Sequence, residues 1–206
     1  LSDNFLARII PRLLPEYAAI SGANINIDDT SVEGRLNNFR LINEELRRLN
    51  DNIIKDVTSH FTPSRYADGV FIRSMPGALS SNLGEKRYYR YHGQDASHSV
   101  HLGIDIASVV NDTVRAAHNG RVAYTGNLGI YGNTVIIDHG LGLFTLYSHL
   151  STIETSVGTI LEQGATIGRS GETGLAGGDH LHFEFRLGTV PVTPIEWWDG
   201  KLIHDH

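Results

Sequence analysis

The sequence predicts a mainly β protein: an antiparallel β-sandwich or barrel-like domain of duplicated-hairpin type, preceded by an α-helical N-terminal extension. From about Val70 onward, short runs of β-branched and aromatic residues alternate with glycine-containing turns. The segment "DHGLGL" at 138–143 has the composition of a hairpin turn between two apolar runs. Upstream, apolar residues recur at helical spacing between 31 and 57. We therefore predict a helical extension at 1–62 and a β-rich domain at 63–206.

The first 30 residues contain Pro11, Pro15 and Gly22, which predict a short helical piece followed by a loop. A longer amphipathic helix is predicted next, because Thr30 and Glu33 fit a capping box. Its apolar stripe spans about two heptads, fewer than the three or four typical of a coiled coil. Packing on its own domain is therefore favoured, and self-association through the 31–57 helix is the alternative. The stripe comprises Leu36, Phe39, Ile42, Leu46, Leu49, Ile53 and Val57.

The β-rich part is predicted to contain ten short strands. Two segments, "DTVRAAHNGRVAYTG" and "VGTILEQGATIGRSG", are loosely alike, which suggests a duplicated hairpin unit. Trp197 and Trp198 are expected to cap the core at the end of the domain. The predicted strands lie near 70–74, 88–92, 103–107, 113–117, 120–125, 133–138, 143–149, 159–162, 166–169 and 180–187.

Composition excludes several classes of protein and of site. The net charge is −6 and the longest basic clusters are "RR" at 47–48 and "KR" at 86–87. This charge distribution argues against a nucleic-acid partner. The chain has no cysteine, so disulfides and thiolate metal sites are excluded. No apolar run approaches the length of a membrane span. Because the first residue is Leu1, we expect a fragment of a longer product, with an export segment or membrane anchor upstream.

Two motifs carry the predicted chemistry. In "GGDHLHFEFR" at 177–186, apolar and polar residues alternate, which predicts a half-buried strand with His180 and His182 about 7 Å apart on its polar face. In "HLGIDIA", His101 and Asp105 share one strand face with Gly103 between them. Imidazole nitrogens and a carboxylate oxygen are zinc donors, whereas calcium requires more oxygen ligands. The sequence therefore predicts a zinc site built on strands.

The ordered set "HLGIDIA", "GNTVIIDHGLGLFTLYSHL" and "TGLAGGDHLHFEF" resembles the lysostaphin-type, or LytM-like, zinc endopeptidases. The resemblance extends from about Met75 to Trp198. It implies one Zn²⁺ per chain, bound by His101, Asp105 and His182. It also implies that His180 and His149 are the two non-ligand histidines of the active site. Family members use a tyrosine to stabilise the oxyanion, and Tyr89 and Tyr91 in "RYYRYHG" are the two candidates.

The resemblance further implies hydrolysis of peptide cross-links or stems of bacterial peptidoglycan, with metal-bound water as the nucleophile. The expected location is the cell envelope, either periplasmic or extracellular. The alternative is a catalytically silent cell-wall-binding or regulatory module. A structural zinc site is closed by four ligands and needs no further imidazoles, which favours the enzyme. A lipoyl carrier is excluded because residues 113–190 contain no lysine.

The remaining histidines are predicted to have no contact with the metal. His118 and His139 are expected in turns, and the others in loops, at strand ends or in the C-terminal tail. The glycine-rich "GETGLAGGD" lacks the lysine of a phosphate loop and is expected to form a rim that lets a peptide backbone approach closely. Apart from His118 and His139, the histidines predicted to have no contact with the metal are His60, His92, His98, His204 and His206.

Overall fold

A computed structural model of the protein describes residues 1–199 and confirms the predicted fold class, an antiparallel β domain with a helical N-terminal region. His204 and His206 lie outside the described residues. No helix among residues 1–199 has both the length and the apolar character needed to cross a bilayer. Segment 60–77, which contains the predicted boundary at 62/63, has no regular helix or strand.

The strands are β1 (Ala78–Ser81), β2 (Lys86–Tyr91), β3 (Gln94–Val100), β4 (Ile104–Ala107), β5 (Thr113–Arg115), β6 (Gly120–Asn127), β7 (Asn133–Gly140), β8 (Leu143–Leu150), β9 (Thr152–Ile153), β10 (Ile160–Leu161), β11 (Thr166–Arg169), β12 (Leu181–Leu187) and β13 (Val190–Val192). The main sheet is antiparallel throughout, and its strands follow the order β1-β4-β12-β8-β7-β6-β10, with β13 beside β12. A second sheet has the order β5-β11-β9, and β2 and β3 form a separate hairpin.

Nine of the ten predicted strands are present, and the one predicted at 70–74 is wrong. There the backbone N–H groups of Phe71 and Ile72 donate to the carbonyls of Trp197 and Ala117, two unrelated segments, so no ladder forms. The apolar side chains anchor a loop to the core instead. Strand β3 was not predicted because its sequence "QDASHSV" has no apolar alternation, and its pairing with β2 defines it. Strands β1, β9 and β13 were also missed.

The predicted hairpin at 138–143 is confirmed by the pairing of β7 with β8. Leu141 and Gly142, at its tip, have φ values of 55° and 84°. Positive φ at both central residues matches the twist of antiparallel strands, which is why such turns favour glycine.

The central strands separate two hydrophobic cores. One face carries Phe183, Phe185 and Tyr147 into a core shared with the smaller sheet, where Trp197 stacks on Phe185 at 4.4 Å between ring centroids. The opposite face carries Phe144 and Leu146 into a core shared with the helices. Strand β12 is therefore buried on both sides, and the prediction that it is half-buried is wrong. The helices cover the face that alternation marked as polar.

Helix α1 (Asp3–Ser21) is longer than the short piece predicted, and both prolines lie inside it. Each proline removes a backbone donor and costs the helix about 3 kcal/mol. Packing compensates for this cost, because one stripe of the helix is buried in the helical core. Gly22 ends the helix with φ 70°. The buried stripe comprises Leu6, Ile9, Ile10, Leu13 and Leu14.

The second helical stretch consists of α2 (Val32–Arg40), a π turn (Leu41–Leu46) and α3 (Arg47–Ser59). Its N-cap is Ser31, whose side chain accepts from the N–H of Gly34, so the capping box predicted at Thr30 is wrong by one residue. The apolar stripe packs into the core of the same chain through Leu36, Phe39, Ile42 and Leu46.

Both histidines predicted in turns are buried: His118 lies in the bend between β5 and β6, as predicted, whereas His139 lies in strand β7. His139 is 1% exposed; one ring nitrogen lies 2.7 Å from the carbonyl oxygen of Asn119 and the other 2.7 Å from Thr145 Oγ1. Its ring packs edge-on against Phe71 at 5.1 Å. Burial lowers the pKa of His139 to about 4, and burial also lowers the pKa of His118.

This burial predicts acid sensitivity. Between pH 6.5 and about 4 the unfolded chain protonates residue 139 while the folded chain does not, so the free energy of unfolding falls as pH falls. The lowered pKa corresponds to roughly 3 kcal/mol from this residue. Urea denaturation at pH 7 and pH 4.5 should show a smaller pH-dependent loss of stability in His139→Gln than in the wild type. Equal losses would contradict the assignment.

Candidate metal centre

The strand register brings together the residues that the sequence predicted as ligands. Asp105 on β4 is directly opposite His182 on β12, so both side chains emerge on the same face. His101 lies three residues before β4. His101, Asp105 and His182, here called the triad or candidate ligand triad, are all at least nine-tenths buried. They offer a set of donor atoms able to hold a metal ion.

The three donor atoms form a nearly equilateral triangle. His101 Nε2 lies 3.0 Å from Asp105 Oδ1 and 2.9 Å from His182 Nδ1. His182 Nδ1 lies 3.0 Å from the same Asp105 oxygen. One cation can therefore contact all three atoms.

Hydrogen bonds fix the orientation of both ligand imidazoles. His182 Nε2 lies 3.0 Å from Glu184 Oε1, and His101 Nδ1 lies 3.0 Å from the carbonyl oxygen of Asn82. Both partners only accept, so these outward nitrogens carry the protons and the inward nitrogens keep their lone pairs. Two lone pairs and a carboxylate oxygen at this distance repel one another unless a positive charge lies between them.

The electrostatics of the triad favour that positive charge. Burial by itself lowers the pKa of His182, but its hydrogen bonds to Asp105 and Glu184 outweigh burial and raise the pKa to about 9. Burial likewise raises the pKa of Asp105, but the two histidines lower it far below its usual range. The donor set thus fits a divalent cation, which would replace the proton.

Arginines neutralise the two carboxylates of the site. Arg87 Nη2 donates to Asp105 Oδ2 at 2.6 Å, which leaves Oδ1 facing the triad. The fully buried Glu184 pairs with Arg186. Sequence reasoning assigned neither arginine a role. Glu184 could have been found, because it lies two residues after His182 on the same face, whereas Arg87 gave no signal because its approach depends on the β2–β3 hairpin.

His149 and His180 lie beside the triad. Their rings are 4.7 Å apart, and His180 Nε2 is 3.7 Å from Asp105 Oδ1. The Nδ1 atoms lie 2.8 Å from the carbonyl oxygens of Thr173 and Gly178, so in the neutral rings Nε2 is the acceptor. Burial and the neighbouring histidines lower the pKa of His149 well below its usual value, although the carbonyl of Thr173 opposes this. His149 also has φ 62°, a strained value found at functional sites.

The two candidate tyrosines lie in different places. Tyr89 lines the cavity at the triad, and its hydroxyl is 3.3 Å from Ser99 Oγ. Tyr91 is not brought to this cavity: its hydroxyl donates to Asp3 and accepts from Arg35, both in the helical region. The two tyrosines are two residues apart and both face inward from β2, so alternation could not separate them; their positions along the strand decide which one reaches the cavity.

A third tyrosine, not predicted, contacts the candidate ligand triad. The Tyr131 ring lies 5.7 Å from that of His182, and its hydroxyl donates to Asp51 Oδ1 at 2.8 Å. The adjacent Ile130 N–H donates to Asn50 Oδ1 at 3.0 Å. Helix α3 therefore anchors the turn at Gly129–Tyr131 that forms one wall of the site. Nothing in the local sequence pairs these distant segments.

His101 and His182 of the triad line a cavity of about 40 Å³, here called the inner cavity. This space is large enough to hold water. His149 also lines the cavity, as do Arg87 of β2 and Arg47 of the helical region. Gly103 permits the close packing behind it, since a Cβ there would lie 2.4 Å from the carbonyl oxygen of Phe183 and 3.0 Å from the His182 ring.

The Glu184 contact predicts a loss of metal affinity in Glu184→Gln. The neutral amide orients His182 less strongly. Substitution of a residue that hydrogen-bonds to a metal ligand reduces metal affinity about 10- to 100-fold. Competition for Zn²⁺ with a chromophoric chelator would measure the change. His139→Gln is the matched control, because it disturbs a buried histidine remote from the triad and should retain wild-type affinity. Unchanged affinity in Glu184→Gln would contradict this role of Glu184.

Comparison with known proteins agrees with this geometry. The model of peptidase family M23 matches residues 99–194, the segment that contains the whole triad together with His149 and His180. The DD-carboxypeptidase/endopeptidase Mpg of Neisseria meningitidis is 40% identical over 117 residues, 57% of this chain and 26% of that protein. The peptidoglycan DD-endopeptidase ShyA of Vibrio cholerae is 35% identical over 118 residues, 57% of this chain and 27% of that protein. The chain thus spans about a quarter of the length of these relatives.

Solved structures are similar as well. A family M23 peptidase structure from Pseudomonas aeruginosa has a TM-score of 0.62 at 26% identity, covering 76% of this chain and 63% of that one. A zinc-containing peptidase from Vibrio cholerae has a TM-score of 0.51 at 26% identity, covering 63% of this chain and 39% of that one. The resemblance seen in the sequence is confirmed for residues 99–194, which match the peptidase family M23 model and contain the His/Asp/His group.

Proposed function

We propose that this protein is a zinc-dependent endopeptidase that hydrolyses amide bonds in the peptide part of bacterial peptidoglycan. The observation that carries the proposal is the convergence of three donor atoms within 3.0 Å of one another, beside two histidines whose Nδ1 atoms are bound to backbone carbonyls. The names of the relatives supply the substrate class, and they support a location in the cell envelope.

Zinc is the ion that suits the donor set. Two imidazole nitrogens and one carboxylate oxygen form a catalytic type of zinc site, with the fourth position open. His101, Asp105 and His182 would hold the ion, since their donor atoms already lie 2.9–3.0 Å from one another. When bound, zinc supplies a Lewis acid that polarises the scissile carbonyl and lowers the pKa of water toward about 7.

We assign His180 the role of general base. Its Nε2 is an acceptor in the neutral ring, and its distance of 3.7 Å from Asp105 Oδ1 brings it within reach of a water at the triad. The imidazole takes a proton as the water oxygen bonds to the carbonyl carbon. It then returns the proton to the leaving nitrogen as the amide C–N bond breaks.

His149 is assigned to the attacking water and Tyr89 to the carbonyl oxygen. The lowered pKa of His149 keeps this ring neutral in the resting site, where its Nε2 orients the attacking water. Tyr89 is the one of the two candidate tyrosines that lines the cavity, and its hydroxyl donates to the developing oxyanion. The hydroxyl of Tyr131 is engaged by Asp51 and is not assigned this role.

The first test is metal content and digestion of cell walls. Purified protein should contain about one zinc per chain and release peptide fragments from sacculi, identified by mass spectrometry. His182→Ala should lose both zinc and activity, because it removes one of three ligands. Wild-type protein that binds zinc but leaves sacculi intact would instead support a catalytically silent module.

The second test separates ligands from acid–base residues. His180→Ala should retain zinc and lose about 10²- to 10⁴-fold in turnover, the usual contribution of general acid–base catalysis. Stopped assays on a soluble cross-linked peptide, together with zinc analysis of the same sample, measure both quantities. Retained turnover in His180→Ala combined with its loss in His149→Ala would transfer the role of base to His149.

A further inference from the structure

Arg47, the first residue of α3, brings a guanidinium group to the inner cavity from outside the region that matches the family model. Its Nε and Nη2 donate to the backbone oxygen and to Oδ1 of Asn43, at 3.0 and 2.8 Å. Asn43 is buried in the π turn, and its Nδ2 donates to Ser97 Oγ at 2.7 Å. The guanidinium is therefore held in one orientation.

Arg47 forms no direct ion pair within the described residues. The other two arginines near the triad are paired, Arg87 with Asp105 and Arg186 with Glu184, whereas Arg47 makes no ion pair in residues 1–199. Asp51, one turn along α3, interacts with Arg47 through their charges without a direct ion pair; burial raises the pKa of its carboxyl group, and Arg47 and the hydroxyl of Tyr131 oppose this. Its oxygen is already used by the hydroxyl of Tyr131.

Arg47 also lies where a substrate would pass. An outer groove of about 410 Å³ runs between α3 and β3, and Arg47 lines it as well as the inner cavity. Ser99, Val100 and Leu102 are likewise common to both, so the groove adjoins the triad. Its walls carry Arg48 and Lys55 in addition, together with two acidic residues, Glu44 and Asp51. Basic groups thus outnumber acidic ones along this path, which suits a peptide that carries a carboxylate.

The two kinds of bond that the enzyme could cut differ in whether a carboxylate lies beside the leaving nitrogen. In a bond between two D-centres of a peptide stem, the carbon that bears the leaving nitrogen also bears a carboxylate. The amide bonds inside a glycine bridge have no carboxylate beside them. A planar guanidinium binds a carboxylate through two parallel hydrogen bonds, which a lysine cannot reproduce.

We propose that Arg47 binds the carboxylate beside the leaving nitrogen and so selects D,D-type stem bonds over glycine bridges. This inference rests on the proposed function and adds a specificity residue supplied by the helical region. The carboxylate lies against the guanidinium while the scissile carbonyl reaches the triad. The helical region therefore contributes directly to the substrate site.

Binding to the metal-free protein tests the inference without turnover. The probes are a stem pentapeptide ending in D-Ala-D-Ala and the same peptide with a C-terminal carboxamide, measured by isothermal calorimetry. Wild type should bind the carboxylate form about 10-fold or more tightly than the carboxamide, since a charged hydrogen-bonded pair contributes about 1.5–3 kcal/mol. Arg47→Gln should bring the ratio close to one, and Arg47→Lys should leave an intermediate ratio.

Arg90→Gln is the matched control. Arg90 is 72% exposed and paired with Asp95 at the β2–β3 turn, so the variant removes one positive charge away from the cavity and should keep the wild-type ratio. Equal binding of both probes by wild type, or an undiminished ratio in Arg47→Gln, would overturn the inference. An Arg47→Gln variant that weakens both probes equally would do the same, because it indicates a structural role. Intact sacculi after digestion with zinc-loaded wild type would instead overturn the proposed function.

Discussion

The site depends on one constraint, the convergence of three electron-rich atoms in a buried place. His101 Nε2, His182 Nδ1 and Asp105 Oδ1 lie within 3.0 Å of one another, an arrangement that is unfavourable without a positive charge between them. The antiparallel register of β4 and β12 sets this distance, and outward hydrogen bonds prevent the rings from turning away. The fold thereby prepares the site before an ion arrives, so little ordering cost remains at binding.

The helices cover the second face of the main sheet, and this burial strengthens the charge–charge interactions around the site. The helices bury Glu184 and Arg186 behind His182, where the exclusion of water strengthens charge–charge interactions. A buried carboxylate paired with a buried guanidinium adds little to stability by itself. Its effect is to hold His182 in one tautomer and one orientation.

The helical region also reaches the edges of the site. Asn50 and Asp51 hold the turn that carries Tyr131, and Arg12 of α1 donates to the carbonyl of Gly174 in the glycine-rich rim. The adjacent carbonyl of Thr173 accepts from His149. Elements far apart in sequence thus orient the two imidazoles and the cavity wall.

Local patterns determined the fold class, nine of the ten predicted strands and the β7–β8 hairpin, because strand alternation and turn composition act over a few residues. They also marked His101, Asp105, His180 and His182 as a candidate metal cluster, from which the family resemblance selected His101, Asp105 and His182. Tertiary structure decided the rest. Alternation could not show that helices cover the polar face of β12, and proline positions could not show that packing keeps α1 continuous through Pro11 and Pro15. The approach of Arg47 and Arg87 likewise depends on contacts across the chain, which no short-range pattern encodes.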